Sequence, residues 1–197
     1  MYRFFFKRIF DIFISLVLII FLLPILILIS LVIIHDMGNP SIFSHNRSGK
    51  EKKPFKIFKF RTMRHPSPGA TDESRITTLG NFLRKWSIDE LPQLYNVIKG
   101  DMSLIGPRPL LIEYDKHYSE VQNKRFLVRP GLTGLAQITG RNELTWDEKF
   151  FLDIKYVETL SFFNDMKILF KTIYVVFGAQ GFRKSGEDKK FNEKKME

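Results

Sequence analysis

Cysteine is absent from the 197-residue chain, which excludes disulfides and thiolate metal centres and suits a reducing compartment. Histidine is scarce: His35, His45, His65 and His117 are the only four, and no two stand at metal-ligand spacing. They read as solvated or packing residues. Negative charge is in deficit too, with 21 Asp and Glu against 31 Lys and Arg, a formal net charge of +10. That balance favours nucleic acid, an anionic membrane or phosphorylated ligands as partners without choosing among them. No internal repeat is visible. The length suits one ordinary domain with an appendage.

The appendage is N-terminal. Residues 12–34, "IFISLVLIIFLLPILILISLVII", form an uncharged run of 23. As a straight helix it would reach about 35 Å at about 1.5 Å per residue, enough for the hydrocarbon core of a bilayer. It is apolar all round, unlike an amphipathic surface helix. It is too long for a signal peptide, and "HDMGNPSIF" follows it in place of a small-residue cleavage site. The run reads as membrane-inserted. Arg3, Lys7 and Arg8 precede it, and Arg47, Lys50, Lys52 and Lys53 follow, so the positive-inside tendency draws both flanks to the cytoplasm. A straight span cannot satisfy both flanks, whereas a re-entrant segment can. Pro24, near the midpoint, removes one backbone donor and frees the carbonyl of Ile20. A kinked spanning helix is the alternative. Charge and proline together favour re-entry.

Beyond the run, "PSIFSHNRSGKEKKPFKIFKFRTM" predicts two short strands around a polar, glycine-containing turn. In the second, Phe55, Ile57 and Lys59 alternate with Lys56, Phe58 and Phe60, which places Lys59 and Arg61 on one face. Leu79, Phe82, Leu83 and Trp86 recur at helical spacing, with Arg84 and Lys85 flanking the stripe. A short helix is expected over residues 92–99, closed by Gly100. Prolines on both sides of Arg108 fix its backbone. "RPGLTGLAQITGRN" has the glycines that let a ligand approach the main chain. Thr145 and Glu148 form a T-x-x-E capping box opening a helix to about Glu158. A last helix, over about residues 164–177 and preceded by Phe162 and Phe163, carries more apolar surface than a small domain must bury. It is either an ordinary core helix or a membrane-interface helix. From Gly181 on, the charged tail "GFRKSGEDKKFNEKKME" has little to pack.

"KWSIDELPQLYN" sets Asp89 and Glu90 side by side just ahead of Pro92. Ser87 to Glu90 fits an S-x-x-E capping box, which is the structural explanation. With Ser87 as N-cap, however, Pro92 lacks the donor that the carbonyl of Ile88 requires. Starting the helix at Pro92 instead leaves the pair facing the positive end of a helix dipole, which keeps a carboxylate ionised and attracts phosphate. A carboxylate nucleophile needs ionisation, an electrophile and compensation for transition-state charge. Lys59, Arg61, Arg84 and Arg108 could supply the compensation by gripping phosphoryl oxygens. Two carboxylates meeting a diphosphate also call for a hard divalent cation, most simply Mg²⁺. On the residues alone, catalysis stands slightly ahead of capping.

"YRFFFKRIFDI", "PFKIFKFRTM", "SIDELPQLYNVIKGDMSLIGPRPL" and "VRPGLTGLAQITGRN", in this order, resemble the bacterial sugar transferase family. These are the monotopic phosphoglycosyl transferases, which start glycan assembly on undecaprenyl phosphate. The resemblance covers about residues 2–177, is to the minimal form of the family, and is strongest to members that transfer phospho-N,N'-diacetylbacillosamine. It implies a mainly α fold with a short β-hairpin. Residues 1–36 would be a re-entrant membrane helix and 37–180 a small cytosolic catalytic domain with interfacial amphipathic helices. Residues 181–197 would be a tail.

The resemblance further implies a ping-pong reaction on the cytoplasmic face of the bacterial inner membrane. Asp89 would attack the β-phosphate of a UDP-sugar, UMP would leave, and undecaprenyl phosphate would take the phosphosugar from Asp89. Glu90 would assist the attack of the lipid phosphate, and Mg²⁺ would bind beside Asp89. Lys59, Arg84 and Arg108 fall on phosphate-contacting positions. Arg129 and Arg141 lie in the glycine-rich segment and are carried over as substrate-binding residues. The implied partners are the UDP-sugar, undecaprenyl phosphate and membrane lipids, with no nucleic acid. Family members break the membrane helix at a Ser-Pro pair. Here the pair is Leu23-Pro24, without the hydroxyl that could rebond the freed backbone.

Two other classes of function compete. A non-enzymatic, membrane-tethered binder of anionic lipid or nucleic acid accounts for the net charge, at about 1 kcal/mol per Lys or Arg near an anionic leaflet. It leaves the acidic pair, the rigid Arg108 and the glycine-rich stretch unexplained. A membrane isoprenoid-diphosphate phosphatase would use Asp89 to form a phosphoenzyme that water resolves. Their products differ: the binder releases nothing, the phosphatase inorganic phosphate, and the transferase UMP. The sequence carries no signal for the sugar or for oligomeric state.

Overall fold

In the computed structural model, which describes residues 2–66, 68–140 and 143–178, the longest element is helix α1 (Lys7–Met37), preceded by a π-helical turn, Tyr2–Phe6. Helix α1 continues through Pro24. At about 1.5 Å per residue it is about 46 Å long. Almost none of its most apolar stretch is buried, and Ile20 and Phe21 are 71% and 78% exposed. After it come strands β1 (Ile42–Ser48) and β2 (Pro54–Phe60), then helices α2 (Asp72–Arg75), α3 (Thr78–Lys85) and α4 (Gln93–Lys99). Strand β3 (Ser103–Ile105), helix α5 (Glu120–Asn123), strand β4 (Gly131–Thr133) and helices α6 (Leu135–Thr139), α7 (Trp146–Glu158) and α8 (Phe162–Phe177) complete the order.

Both ends of α1 are fastened to the same domain. At the N-terminal end, Lys7, Asp11 and Ser15 repeat every fourth residue, so they share one face, and all three are buried. Phe10, Ile14 and Leu18 pack on the main core, which holds Leu94, Val97, Ile105, Tyr156 and Ile168. Lys7 Nζ lies 2.7 Å from Asp165 Oδ2. Asp165 also accepts hydrogen bonds from the hydroxyls of Tyr2 and Tyr156, at 2.6 and 2.9 Å. Asp11 accepts from the Ser103 hydroxyl at 2.6 Å and from the Leu104 N–H at 3.3 Å. At the C-terminal end, Leu26, Ile29, Ile33 and Met37 pack with Phe60, Leu79, Leu83 and Ile88. Gly38, at φ 76°, leaves the helix there in a conformation that β-carbons disfavour.

The hairpin forms as its alternation predicts. Strands β1 and β2 are antiparallel, in register from Ile42 opposite Phe60 to Ser48 opposite Pro54. Phe55 and Ile57 enter the main core, whereas Phe60, on the other face, packs against the C-terminal end of α1. Asn96, fully buried on α4, ties the helix to β2 by donating to the Lys56 carbonyl at 2.7 Å and accepting from the Phe58 N–H at 3.1 Å. A second, parallel pair joins β3 to β4, with Ser103 opposite Gly131 and Ile105 opposite Thr133.

The T-x-x-E box at Thr145 and Glu148 forms with both of its hydrogen bonds, at 3.3 and 2.7 Å. Helix α8 starts earlier than expected, because the Ser161 hydroxyl caps it by accepting from the Asn164 N–H. Phe162 and Phe163 are therefore inside its first turn. Its large apolar side chains divide by face: Ile168 and Val175 are buried, while Phe163, Phe170, Tyr174 and Phe177 are 67–83% exposed. The expected tail, 181–197, lies outside the described residues.

Breaking a buried ion pair from one side leaves an uncompensated charge, at a cost of about 3–5 kcal/mol. Asp165→Leu should therefore lower the thermal midpoint in detergent by about 10 °C. Lys7→Met and Asp11→Asn added to it should restore at least half of the loss, because no buried charge then remains at this end of α1. A harmless single substitution in a melting experiment would show that the Lys7–Asp165 contact does not hold α1.

Candidate active site

Asp89 and Glu90 lie in a 3₁₀ turn, Ile88–Glu90, that ends α3 and opens α4. Ser87 ahead of them is in the left-handed region, at φ 55° and ψ 21°, and makes no capping hydrogen bond. The S-x-x-E box therefore does not form. Pro92 takes the N-cap position of α4, and Gly100, at φ 104°, closes it. The turn sends the two carboxylates different ways.

Glu90 is clamped. Its Oε1 lies 2.6 Å from Lys59 Nζ and 2.8 Å from Arg108 Nη2, and Arg108 Nη1 reaches Oε2 at 3.3 Å. The fork-to-carboxylate pairing and the lysine together outweigh the effect of burial and hold the Glu90 pKa well below the usual range. Asp89, 8% exposed, receives no hydrogen bond from the described residues. Burial and the negative charge of Glu90 push its pKa up to about 6, against the pull of Lys59, Arg108 and Arg84. One carboxylate is thus permanently ionised and occupied, and the other is poised and open.

Each cation has its own support. Lys59 comes from the end of β2. Arg84 comes from α3, and its Nε donates to the Thr62 hydroxyl at 2.8 Å. Helix α3 meets that segment at Gly80, where a β-carbon would fall 2.0 Å from the Thr62 carbonyl oxygen. Arg108 stands between two prolines, and the backbone on either side is pinned to the β3–β4 pair. The Gly106 N–H donates to Thr133 O and the Gly131 N–H to Pro107 O, both at 2.9 Å. Here too there is no room for a side chain: a β-carbon on Gly106 would lie 2.5 Å from Arg129 O.

Of the expected substrate-binding residues, the structure brings Lys59, Arg84 and Arg108 to the dyad. Arg61 is elsewhere. Alternation placed it beside Lys59, but the strand ends at Phe60, and the Arg61 guanidinium turns to the carbonyls of Met37, Gly38 and Asn39. It satisfies the carbonyls left open at the end of α1. Arg129 lies at the opposite end of α4 from the dyad, with its Nε donating to Gly100 O at 2.8 Å. Arg141 lies outside the described residues. The sequence reading missed Arg125, which donates to Arg108 O at 2.6 Å and pairs with Asp153 at 2.8 Å, both side chains no more than 4% exposed. That link spans 28 residues and has no local pattern to reveal it.

A model of the bacterial sugar transferase family matches residues 2–179, the whole site included. The chain belongs to the bacterial sugar transferase family. This sugar transferase is 46% identical, over 91% of each chain, to the uncharacterized sugar transferase EpsL of Bacillus subtilis. It is 39% identical to the UDP-glucose:undecaprenyl-phosphate glucose-1-phosphate transferase of Caulobacter vibrioides, covering 85% of this chain and 68% of that protein. It is 38% identical to the undecaprenyl-phosphate galactose phosphotransferase of Salmonella typhimurium, where 90% of this chain matches 41% of a longer protein.

The electrostatics of this candidate site have a consequence for stability. A carboxyl whose folded pKa is about 6 against about 3.9 unfolded keeps its proton in the folded state while the unfolded state releases it. Its penalty is absent below pH about 4, grows between 4 and 6, and is complete above 6, on the order of 2–3 kcal/mol. In EDTA-containing buffer, Asp89→Asn should therefore melt about 5–10 °C above the parent at pH 7.5, with the gap closing towards pH 4. A variant less stable than the parent at pH 7.5 would contradict the assigned environment.

Proposed function

We propose that this protein is an undecaprenyl-phosphate sugar phosphotransferase, moving a sugar 1-phosphate from a UDP-sugar to undecaprenyl phosphate through a covalent intermediate on Asp89. One observation carries the reading: a buried carboxylate that receives no hydrogen bond from the described residues, ringed by Lys59, Arg84 and Arg108. The names of the Caulobacter and Salmonella relatives support the donor and acceptor classes. Asp89, ionised above pH about 6, attacks the β-phosphorus of the UDP-sugar. The bond to the UMP oxygen breaks, and UMP leaves with the electron pair. An oxygen of the lipid phosphate then attacks the same phosphorus and returns Asp89 to its carboxylate form.

Glu90, with its pKa held low, is a poor proton acceptor at neutral pH. Its part is positional: it holds Lys59 and the fork of Arg108 towards the phosphoryl oxygens on which charge gathers. Among the described residues no group of three or more His, Asp or Glu forms a metal cage. A single open carboxylate at Asp89 does suit Mg²⁺, which commonly takes one or two carboxylates and completes its shell with substrate phosphates and water. When bound, Mg²⁺ would neutralise phosphate charge beside Asp89.

The membrane arrangement follows from α1. Because both of its ends grip one domain, they cannot sit on opposite sides of a bilayer while that domain stays in water. We therefore read α1 as re-entrant, with the domain on the cytoplasmic face and the outward aromatic face of α8 in the interface.

Two experiments test this. Enzyme mixed with UDP-galactose, UDP-glucose and UDP-N,N'-diacetylbacillosamine in turn, without acceptor, should release UMP and gain the mass of one phosphosugar. Asp89→Asn should do neither, while Glu90→Gln should retain the adduct with turnover reduced about 10²-fold or more. Inorganic phosphate as the product would instead indicate a phosphatase. For topology, cysteines added ahead of Met1 and at Ser185 should both resist an impermeant reagent in intact cells and react after permeabilisation. Labelling of the N-terminal site alone in intact cells would mean that α1 spans.

A further inference from the structure

Arg47 sits one residue before the end of β1, opposite Phe55. Its neighbour Ser48 fastens that strand end to the segment carrying Arg108. The Ser48 N–H donates to Leu110 O at 3.1 Å, and its hydroxyl donates to Asp115 Oδ2 at 2.5 Å. The Arg47 guanidinium is thereby half-buried beside the clamp. The groups around it are Arg108, Glu90, the Tyr114 hydroxyl and Glu113. Burial and the Arg108 charge lower its pKa, and the other three groups oppose them.

The other cations of this region are engaged. Lys59 and Arg108 hold Glu90, and Arg84 holds Thr62. Arg125 holds Asp153. Among the described residues, none accepts a hydrogen bond from Arg47. Half-buried and facing a second arginine, the Arg47 fork is left able to take an anion's oxygens.

We propose that Arg47 is a further phosphate-binding residue of this site, gripping a phosphoryl group brought in by the sugar nucleotide or by the lipid phosphate. The assignment rests on the phosphotransferase reading. Glu90 turns Arg108 towards the dyad from one side, and Arg47 offers a second fork from the hairpin side. The arriving phosphate separates the two guanidinium charges and takes the hydrogen bonds that no described residue takes from Arg47.

The test uses the full chain in detergent, with UDP-galactose and UDP-glucose as donors, undecaprenyl phosphate as acceptor, and UDP alone as a binding probe. Arg47→Gln should raise the KM for one of the two substrates about 10- to 100-fold, and Arg47→Lys should fall between Gln and the parent because it keeps charge without the fork. Without ligand, Arg47→Gln should melt close to the parent, since no described residue takes a hydrogen bond from Arg47. If the grip is on the donor, the UDP-induced rise in melting temperature should shrink in Arg47→Gln. If it is on the acceptor, that rise should persist and the lipid KM should move. An active parent whose Arg47→Gln variant keeps both KM values and the full UDP shift sinks the assignment alone, and a lower melting temperature with unchanged KM assigns Arg47 to the fold. A parent that neither releases UMP nor binds UDP takes the phosphotransferase reading down, and this assignment with it.

Discussion

The site is organised around one carboxylate that cannot let go of its cations. Glu90 holds Lys59 from the hairpin and Arg108 from the proline-flanked turn at the same time, so it ties two distant parts of the chain together at the dyad. Its charge is also the second reason, after burial, that Asp89 resists ionisation. Adjacent acidic residues would repel in water. Here the turn separates their roles, because one is neutralised by partners and the other is left open in a buried site. The resulting difference in pKa is the pattern by which two carboxylates divide the work of a reaction.

The domain behind the dyad is built to hold this arrangement without slack. Two glycines, Gly80 and Gly106, stand where a β-carbon would collide with backbone, so α3 and the Arg108 turn approach their neighbours more closely than any side chain allows. The Arg125–Asp153 pair then holds the Arg108 carbonyl from the opposite side. Such a buried pair is weak support for stability in itself. Its value lies in direction, since a guanidinium fork fixes the carbonyl it binds. A site that keeps a carboxylate in an unfavourable place also gives up stability, and the tight packing around it offsets part of that loss.

Helix α1 joins a long, exposed apolar segment to this site. A uniformly apolar helix has no face of its own to bind a domain, and α1 attaches instead by its ends. The polar stripe of Lys7, Asp11 and Ser15 enters the domain at one end, and Arg61 collects the carbonyls at the other. Those attachments fix where the apolar middle of α1 lies relative to the dyad.

Much of the local structure was legible from residue order. The hairpin, the helix after Pro92, the capping box at Thr145 and the apolar run each depend on neighbours within a few residues, and each formed where the pattern placed it. The dyad was legible as a pair, though capping and catalysis stayed open until Glu90 was seen to reach Lys59 and Arg108 rather than Ser87. Arg61 shows why alternation alone misleads: a side chain's face is set by period, but its partner is set by what packs there, and here that is the end of α1. Arg47, Arg125 and Asp153 had no local signature at all.

What the sequence determined by itself was the set of elements and the chemical types available, because propensity, capping and hydrophobic period act over one or two turns. What only the tertiary structure decided was which charges meet. Coulomb and hydrogen-bond energies depend on distance and burial, and both are set by contacts between segments tens of residues apart.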